Sequence, residues 1–336
     1  MKHKVNIFPS WSLGMRVETE LGNKGCEYIC LFIPAFAGAC FSHFLRLFYK
    51  MKFKIYLEYA GYNYSGWQKQ PGQSAVKTVQ GSLIKAIDKV FSLSKGSSKF
   101  IELQGAGRTD AGVHAIEQVA HLECETMLAP EIMKMKINDE LSSDINILEI
   151  EKAPKNFHAR HDAVSRQYLY VISKRRTAFE KRYVWWIKDK LNVDKMKETS
   201  KLFIGMHDFK SFAEKSPDEK STKCKIELLE ITEVVSNISS PQEQGVMTPC
   251  FYGCGEKIFI RIKSSHFLWK MVRRIVGTLV EVGRGNIVKM TISDLLLPSP
   301  VRRRAGLPAG ASAKAGGEVS KYTAPPSGLF LEKVYY

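Results

Sequence analysis

Gly105-Ala106-Gly107-Arg108-Thr109-Asp110-Ala111-Gly112 sets three glycines around a single carboxylate. Residues 100–104 before it and residues 113–122 after it have the apolar content of strands. The glycines allow tight turns and the close approach of a large substrate, although an Asp in such a loop also forms simple Asx-turns. The segment predicts a strand–loop–strand unit whose loop presents Asp110 as a candidate site residue.

Regular hydrophobic patterns extend on both sides of this loop. Residues 53–60 alternate apolar and polar side chains, which predicts a strand with one buried face. Residues 78–92 carry an apolar stripe at helical spacing, with Thr78 as the predicted N-cap. Strands and helices interleave in two similar halves, so we expect an α+β protein. Further strands are predicted at residues 167–173, 257–263 and 329–335, and helices at residues 194–204, ended by Gly205, and 267–282.

Two stretches of the second half read as insertions. Residues 236–255 are polar and rich in turn residues, and residues 298–328 are low in complexity with many Ala, Gly and Pro. We expect both insertions to be mobile. The predicted organisation is an N-terminal half at residues 51–155, which carries the Asp110 loop, and a C-terminal half at residues 156–336.

Residues 1–50 have no place in these two halves and are treated as an extension. Residues 28–45 lack Lys, Arg, Asp and Glu, but the run is barely long enough to span a bilayer and contains Pro34. It also lies too deep in the chain for an ordinary signal peptide. Met51 opens the first predicted strand, which favours upstream sequence that is not translated; a lipoprotein cleavage site at Cys40 is the alternative. We expect no membrane association.

The charge of the chain indicates a class of partner. Its net charge is +16, from 50 Lys and Arg against 34 Asp and Glu. Such an excess indicates a polyanionic partner, although a basic surface without one is compatible with the same number. Residues 160–182 hold seven basic and two acidic side chains, and residues 261–284 hold six and one. Two stripes of this kind predict a groove that follows a nucleic-acid backbone.

The seven cysteines predict neither a disulfide framework nor a zinc site, because they are few and irregularly spaced. Their pattern indicates reduced thiols, and hence a reducing compartment.

Seven short motifs occur in order along residues 51–336. The motifs are Tyr64-Ser65-Gly66-Trp67-Gln68-Lys69-Gln70, Thr78-Val79-Gln80-Gly81, Gly107-Arg108-Thr109-Asp110-Ala111-Gly112-Val113-His114-Ala115, Phe157-His158-Ala159-Arg160, Arg166-Gln167-Tyr168-Leu169-Tyr170, Met271-Val272-Arg273-Arg274-Ile275-Val276-Gly277 and Thr323-Ala324-Pro325-Pro326-Ser327-Gly328-Leu329. Together they resemble the tRNA pseudouridine synthase A family, and the motif around Asp110 resembles the family's catalytic signature.

The resemblance implies a fold, an activity and a partner. The fold would be two similar α/β-sandwich halves, with mixed, mainly antiparallel sheets joined across a basic central cleft. The activity would be conversion of uridine to pseudouridine in the anticodon stem-loop of tRNA, at positions 38–40, by a cytoplasmic homodimer. This isomerisation needs no redox step, so neither a cofactor nor a metal is implied. Two alternatives stay open: a relative that modifies other tRNA uridines, and a catalytically idle protein that binds or folds tRNA.

The resemblance also assigns roles to five residues. Asp110 would act at ribose C1′, as nucleophile or as base, and Arg273 would be its salt-bridge partner. Tyr168 would stack on the target base and move a proton at C5. Leu329 would line the uracil pocket, and Arg108 would occupy the space that the flipped base leaves. Ordinary roles are compatible with the same sequence: a solvated helix face for Arg273, and core packing for Tyr168 and Leu329.

The chain departs from the family pattern in places. Ala60 stands where the family often has Asp, which removes no catalytic group. Both insertions are longer than usual, which concerns local RNA contacts rather than the reaction. His114 and Trp67, which also lie within the motifs, are interpreted as packing residues.

Overall fold

A computed structural model describes residues 17–21, 27–31, 50–70, 72, 76–94, 98–214, 221–236, 255–287, 289–296 and 319–336. Strands β1 (Val17–Leu21) and β2 (Glu27–Leu31) pair as an antiparallel hairpin. This hairpin belongs to a separate unit, Met1–Phe48, and every other described element belongs to the unit Tyr49–Tyr336. Most of the proposed extension, residues 1–50, lies outside the described residues.

A mixed sheet of ten strands organises the larger unit. The order across the sheet is β6-β3-β5-β12-β7-β11-β10-β9, with β4 on β5 and β8 on β7. Two of the pairings, β5 with β12 and β7 with β8, are parallel, and the others are antiparallel. The strands are β3 (Lys50–Tyr59), β4 (Lys99–Gly105), β5 (His114–Glu125), β6 (Ile145–Ala153), β7 (Ser165–Ser173), β8 (Trp185–Trp186), β9 (Gly205–Asp208), β10 (Lys223–Ser236), β11 (Gly255–Ser264) and β12 (Leu329–Tyr335).

The C-terminal strand β12 connects two sets of strands. It runs parallel to β5, with Phe330 opposite His114, and antiparallel to β7, with Leu331 opposite Tyr168. The start of β5, where the Asp110 loop ends, is therefore separated from Tyr168 by one strand only. The predicted mixed, mainly antiparallel sheet is confirmed. The division into halves at residue 155 stays a prediction.

In the described part of the chain, five helices accompany the sheet. The apolar stripe predicted in the first of them is buried, and Thr78 accepts a hydrogen bond from the Gly81 N–H at 3.2 Å, as expected of its N-cap. Most of the core lies on the helix side, whereas Leu169, Phe259 and Phe330 belong to a smaller second cluster. The helices are α1 (Val79–Leu93), α2 (Pro130–Glu140), α3 (Val193–Ser200), α4 (Met271–Arg284) and α5 (Lys289–Leu296).

Two predicted helices have different bounds in the structure. The helix expected from residue 267 begins only at Met271, because Lys270 adopts a left-handed conformation with φ of 60°. The helix expected at residues 194–204 ends at Ser200 and continues as one 3-10 turn. Gly205 opens β9 with φ of 107° and does not cap α3, so that prediction was wrong.

Other elements escaped prediction because their patterns are weak or interrupted. In α2 only Met133 and Ile137 are buried, which is too narrow a stripe to recognise. In β10 the pairing with β11 shifts register between Ile226 and Leu228, so the alternation of period two is broken.

The two expected insertions have different outcomes. Residues 237–254 and 297–318 lie outside the described residues. Residues 319–328, expected to be mobile, are packed instead, and Ala324 is fully buried. They reach α4 closely because Gly277 leaves room: a Cβ there would lie 1.4 Å from the carbonyl oxygen of Tyr322. Among the helices that the structure describes, none has the length and apolar character to cross a bilayer.

Candidate active site

The aspartate loop, residues 105–112, is held by the turn that follows β3. The Trp67 N–H donates to the Thr109 carbonyl at 3.1 Å, and the Gly112 N–H donates to the Tyr64 carbonyl at 3.3 Å. Gly66 is required in this turn, since its φ is 103° and a Cβ would lie 2.6 Å from the Thr109 carbonyl oxygen. The turn therefore fixes the backbone on both sides of Asp110.

Both carboxylate oxygens of Asp110 accept hydrogen bonds from the region of α4. Arg273 Nη1 donates to Oδ2 at 3.2 Å, and Trp269 Nε1 donates to Oδ1 at 3.1 Å. The Asp110 side chain is 28% exposed, so a substrate can still reach it. The ion pair that the resemblance implies is present, and the carboxylate is engaged across the molecule rather than in a local turn.

Arg273 is anchored by the segment that crosses α4. Its Nε donates to the Ala324 carbonyl at 2.7 Å, and the Ala324 N–H donates back to the Arg273 carbonyl at 3.0 Å. Only 14% of the Arg273 side chain is exposed. A solvated helix face therefore does not describe this residue.

Tyr168 lies in β7 with its ring edge against Phe267, at 5.1 Å between centroids. Burial raises the pKa of its hydroxyl, the Asp110 carboxylate acts in the same direction, and Arg166 opposes both. The hydroxyl therefore stays protonated at neutral pH. Tyr59 supports the aspartate loop from below, because its hydroxyl bonds to Thr109 Oγ1 at 2.8 Å.

Arg166 connects the segments that surround this site. Its Nη2 donates to the carbonyls of Ala106, at 3.0 Å, and Arg160, at 2.6 Å. Its Nη1 donates to the carbonyls of Ala163, at 3.1 Å, and Ser265, at 2.9 Å. One guanidinium thus joins the aspartate loop to the segment that leads into α4.

A polar cavity of about 250 Å³ lies beside the aspartate loop. The exposed Arg108 lines it together with Arg160, Gln68 and Glu102. Leu329 lies elsewhere, as the buried first residue of β12, opposite Tyr170.

His114 does more than the packing expected of it. Its Nδ1 accepts a hydrogen bond from the Gly61 N–H at 3.0 Å, and its Nε2 lies 3.0 Å from the Arg182 carbonyl oxygen. Nε2 must therefore carry the proton, and burial lowers the pKa of the ring to about 4. Trp67 is buried against Gly105, as expected of a packing residue.

Comparison with known proteins identifies the family. A family model described as tRNA pseudouridine synthase matches residues 55–162 and 199–336. The tRNA pseudouridine synthase A 2 of Clostridium perfringens is 34% identical over 285 residues, which cover 84% of this chain and 98% of that protein. The tRNA pseudouridine synthase A of Bartonella tribocorum is 36% identical over 292 residues, which cover 85% and 99%. This chain belongs to the tRNA pseudouridine synthase A family. The family model includes Asp110 and Arg273, whereas Tyr168 falls between its two matched segments and owes its place in the site to the geometry of β7.

The structure thus brings three of the site residues expected for a tRNA pseudouridine synthase together: Asp110, Arg273 and Tyr168. Sequence reasoning missed Trp269 and the part that Arg166 plays. Arg166 lies within a recognised motif, but its four carbonyl partners could not be read from it. No group of three His, Cys, Asp or Glu among the described residues is arranged to hold a metal ion.

Proposed function

We propose that this chain forms pseudouridine in the anticodon stem-loop of tRNA, at positions 38–40, with Asp110 as the residue that acts on ribose. Family membership makes it an isomerase that acts on tRNA; the stem-loop and the uridines are part of the proposal. The observation that carries the catalytic assignment is the Asp110 carboxylate, held on both oxygens beside Tyr168 and still open to a substrate.

Asp110 acts at the sugar in either of two ways. As a nucleophile, a carboxylate oxygen bonds to C1′ while the C1′–N1 bond breaks and its electron pair stays on the uracil. As a base, it removes the C2′ proton while the C1′–N1 bond breaks, which leaves a glycal and the uracil anion. In both cases the base rotates and C5 bonds to C1′. The ester bond then breaks, or C2′ takes its proton back from the carboxylic acid, so the carboxylate is regenerated. C5 loses its proton and N1 gains one, so the atoms of uridine are conserved.

Tyr168 is assigned to the target base. Its ring is proposed to stack on the target base, and its hydroxyl, which stays protonated at neutral pH, is proposed to relay the C5 proton. Leu329 is proposed to line the uracil pocket, and Arg108 to take the space left by the flipped base. The cavity beside the aspartate loop supports the role of Arg108, since Arg108 and Arg160 both line this cavity.

The second basic stripe, residues 261–284, is an unpromising tRNA surface. Each of its six cations pairs with a carboxylate of the chain, which satisfies its charge internally. The pairs are Arg261 with Glu332, Lys263 with Glu227, Lys270 and Arg274 with Glu214, Arg273 with Asp110, and Arg284 with Asp189.

The first stripe, residues 160–182, supports the proposed tRNA contact better. Arg175, Arg176, Lys181 and Arg182 are exposed. The Arg182 guanidinium lies over the Tyr62 ring at 4.4 Å, an arrangement that also suits nucleotide stacking. We place the RNA backbone along this stripe, which forms one wall of the proposed basic cleft between two similar halves. The protein is further proposed to act in the cytoplasm as a homodimer that binds one tRNA across both subunits.

Asp110→Asn tests the catalytic assignment. We expect pseudouridine formation in unmodified tRNA to fall to background, with the Kd for tRNA within about threefold of wild type, because binding depends on many cationic contacts. Turnover within tenfold of wild type would contradict the assignment.

Pseudouridine mapping of tRNA from cells with and without the gene tests the positions. Product at other uridines alone would favour a relative with different targets. No product at all would favour an idle RNA-binding protein.

A further inference from the structure

Trp269 contacts the reactive carboxylate but belongs to none of the motifs that identify the family. It lies in the turn before α4, with 45% of its surface exposed. Its indole N–H donates to Asp110 Oδ1, whereas Arg273 binds Oδ2. Two donors from neighbouring positions of the chain thus hold the two oxygens separately.

The turn that carries Trp269 is built to hold this arrangement. Lys270 is the one non-glycine residue with positive φ in the described part of the chain. Such a conformation persists where the surroundings enforce it, and here Glu214 does so. The Glu214 N–H donates to the Trp269 carbonyl at 3.0 Å, and its carboxylate pairs with Lys270, at 3.2 Å, and Arg274, at 2.6 Å.

This left-handed residue separates the two donors geometrically. Because Lys270 is left-handed, Trp269 lies outside the helix and α4 begins at Met271. Arg273 therefore approaches the same carboxylate from the first turn of the helix. A continuous helix from residue 267 would place residues 269 and 273 on one face, one turn apart, and would change the direction of the indole.

We propose that Trp269 is a positioning residue that fixes the plane of the Asp110 carboxylate for attack at the ribose, an inference that rests on the proposed catalytic role of Asp110. With Arg273 alone, the carboxylate can rotate about its Cβ–Cγ bond. A second, charge-assisted hydrogen bond on the other oxygen removes that freedom before the substrate arrives. The Asp110 side chain stays 28% exposed beside both donors, so a substrate can still reach it.

Trp269→Phe and Trp269→His separate the hydrogen bond from the aromatic ring. Phe keeps a ring and loses the N–H, and we expect kcat to fall about tenfold with KM for tRNA within twofold. His keeps a ring N–H and should recover much of the lost kcat. Trp186→Phe is the matched control, because Trp186 is similarly exposed, at 41%, and is expected to leave kcat unchanged.

A kcat for Trp269→Phe within twofold of wild type would overturn the proposal. A loss confined to KM would also overturn it, since that result would indicate stacking of the indole on RNA instead.

Indole fluorescence provides a readout that does not depend on turnover. The emission of Trp269 is obtained by subtracting the spectrum of Trp269→Phe from that of the wild type. The same difference, taken in the Asp110→Ala background, should have a different wavelength or intensity. An unchanged difference spectrum would show that the contact is absent in solution. Failure of this inference and failure of the proposed function remain distinct: an active Asp110→Asn variant overturns both, whereas an inactive Asp110→Asn with a normal Trp269→Phe overturns only the role of Trp269.

Discussion

At the scale of single residues, the site depends on side chains that are far apart in the sequence and hold one another in place. Asp110 comes from a loop between strands, whereas its donors Trp269 and Arg273 come from a turn and a helix that begin about 160 residues later. Tyr168 approaches from the middle of the sheet. Conservative substitutions at these positions should therefore lower the reaction rate without unfolding the protein.

Tyr168→Phe keeps the stacking ring and removes the hydroxyl. If the hydroxyl relays the C5 proton, kcat should fall by about a hundredfold or more while tRNA binding persists. Tyr170→Phe is a matched control two residues along β7, since its hydroxyl donates to the Pro325 carbonyl at 2.8 Å. It should cost about 1 kcal/mol of unfolding free energy and leave kcat nearly unchanged. Full activity of both Tyr168→Phe and Tyr168→Leu would show that Tyr168 is only a core residue.

His114 predicts a pH dependence of stability. Its pKa is lowered from 6.5 to about 4 in the folded chain, so the unfolded chain takes up the proton first as pH falls. The stability held above pH 6.5 is therefore lost between pH 6.5 and about 4, by on the order of 3 kcal/mol.

His114→Gln keeps one acceptor for the Gly61 N–H and one donor for the Arg182 carbonyl without titrating. Denaturant unfolding at several pH values should show a flatter dependence between pH 4 and 6.5 than in wild type. His207→Gln, a change at a partly exposed histidine, serves as the control. An unaltered slope in His114→Gln would rule out His114 as the source of the dependence.

At the scale of elements, the crossing of residues 319–328 over α4 is the contact on which the site most depends. It supplies the Ala324 carbonyl that anchors Arg273, and Gly277 is what allows the close approach. Because the contact is made by backbone on both sides, it tolerates no added side chain at that point.

Gly277→Ala should therefore destabilise the protein by roughly 3 kcal/mol, or displace the crossing segment. In either case Arg273 loses its anchor, and we expect kcat to fall together with the melting temperature. Gly107→Ala is the control for stability, because a Cβ at Gly107 meets no heavy atom within 4 Å. A wild-type melting temperature for Gly277→Ala would contradict the packing described.

At the scale of the whole molecule, net charge is a poor guide to where RNA binds. Of the two basic stripes that the sequence displays, residues 261–284 are satisfied by carboxylates of the same chain. Residues 160–182 keep several exposed cations, so the electrostatic attraction of tRNA should be concentrated there.

The double variant Arg175→Gln, Arg176→Gln tests this asymmetry. Each lost phosphate contact should reduce the slope of log Kd against log salt concentration by slightly less than one, and KM should rise while kcat is kept. Lys263→Gln is the matched control from the second stripe, since its ammonium pairs with Glu227 at 3.3 Å. Equal losses of affinity in both variants would place the RNA on the second stripe as well.

The sequence by itself determined what depends on neighbours along the chain. The strands around residues 53–60, 113–122 and 257–263, the helix that follows Thr78 and the aspartate loop all follow from local periodicity, capping and glycine content. These features reflect short-range preferences of the residues, and the sequence motifs that contain several of them indicate the family.

Only the tertiary structure decided what depends on residues distant in sequence. The insertion of β12 between β5 and β7, the four carbonyls on Arg166 and the indole of Trp269 on Asp110 have no local signature. The pairing of the second basic stripe is likewise invisible in the sequence, because its carboxylates come from elsewhere in the chain. A charge or a hydrogen-bond donor of this kind meets its partner only when the whole chain folds. Which partner it meets is set by packing over the whole molecule rather than by any one segment.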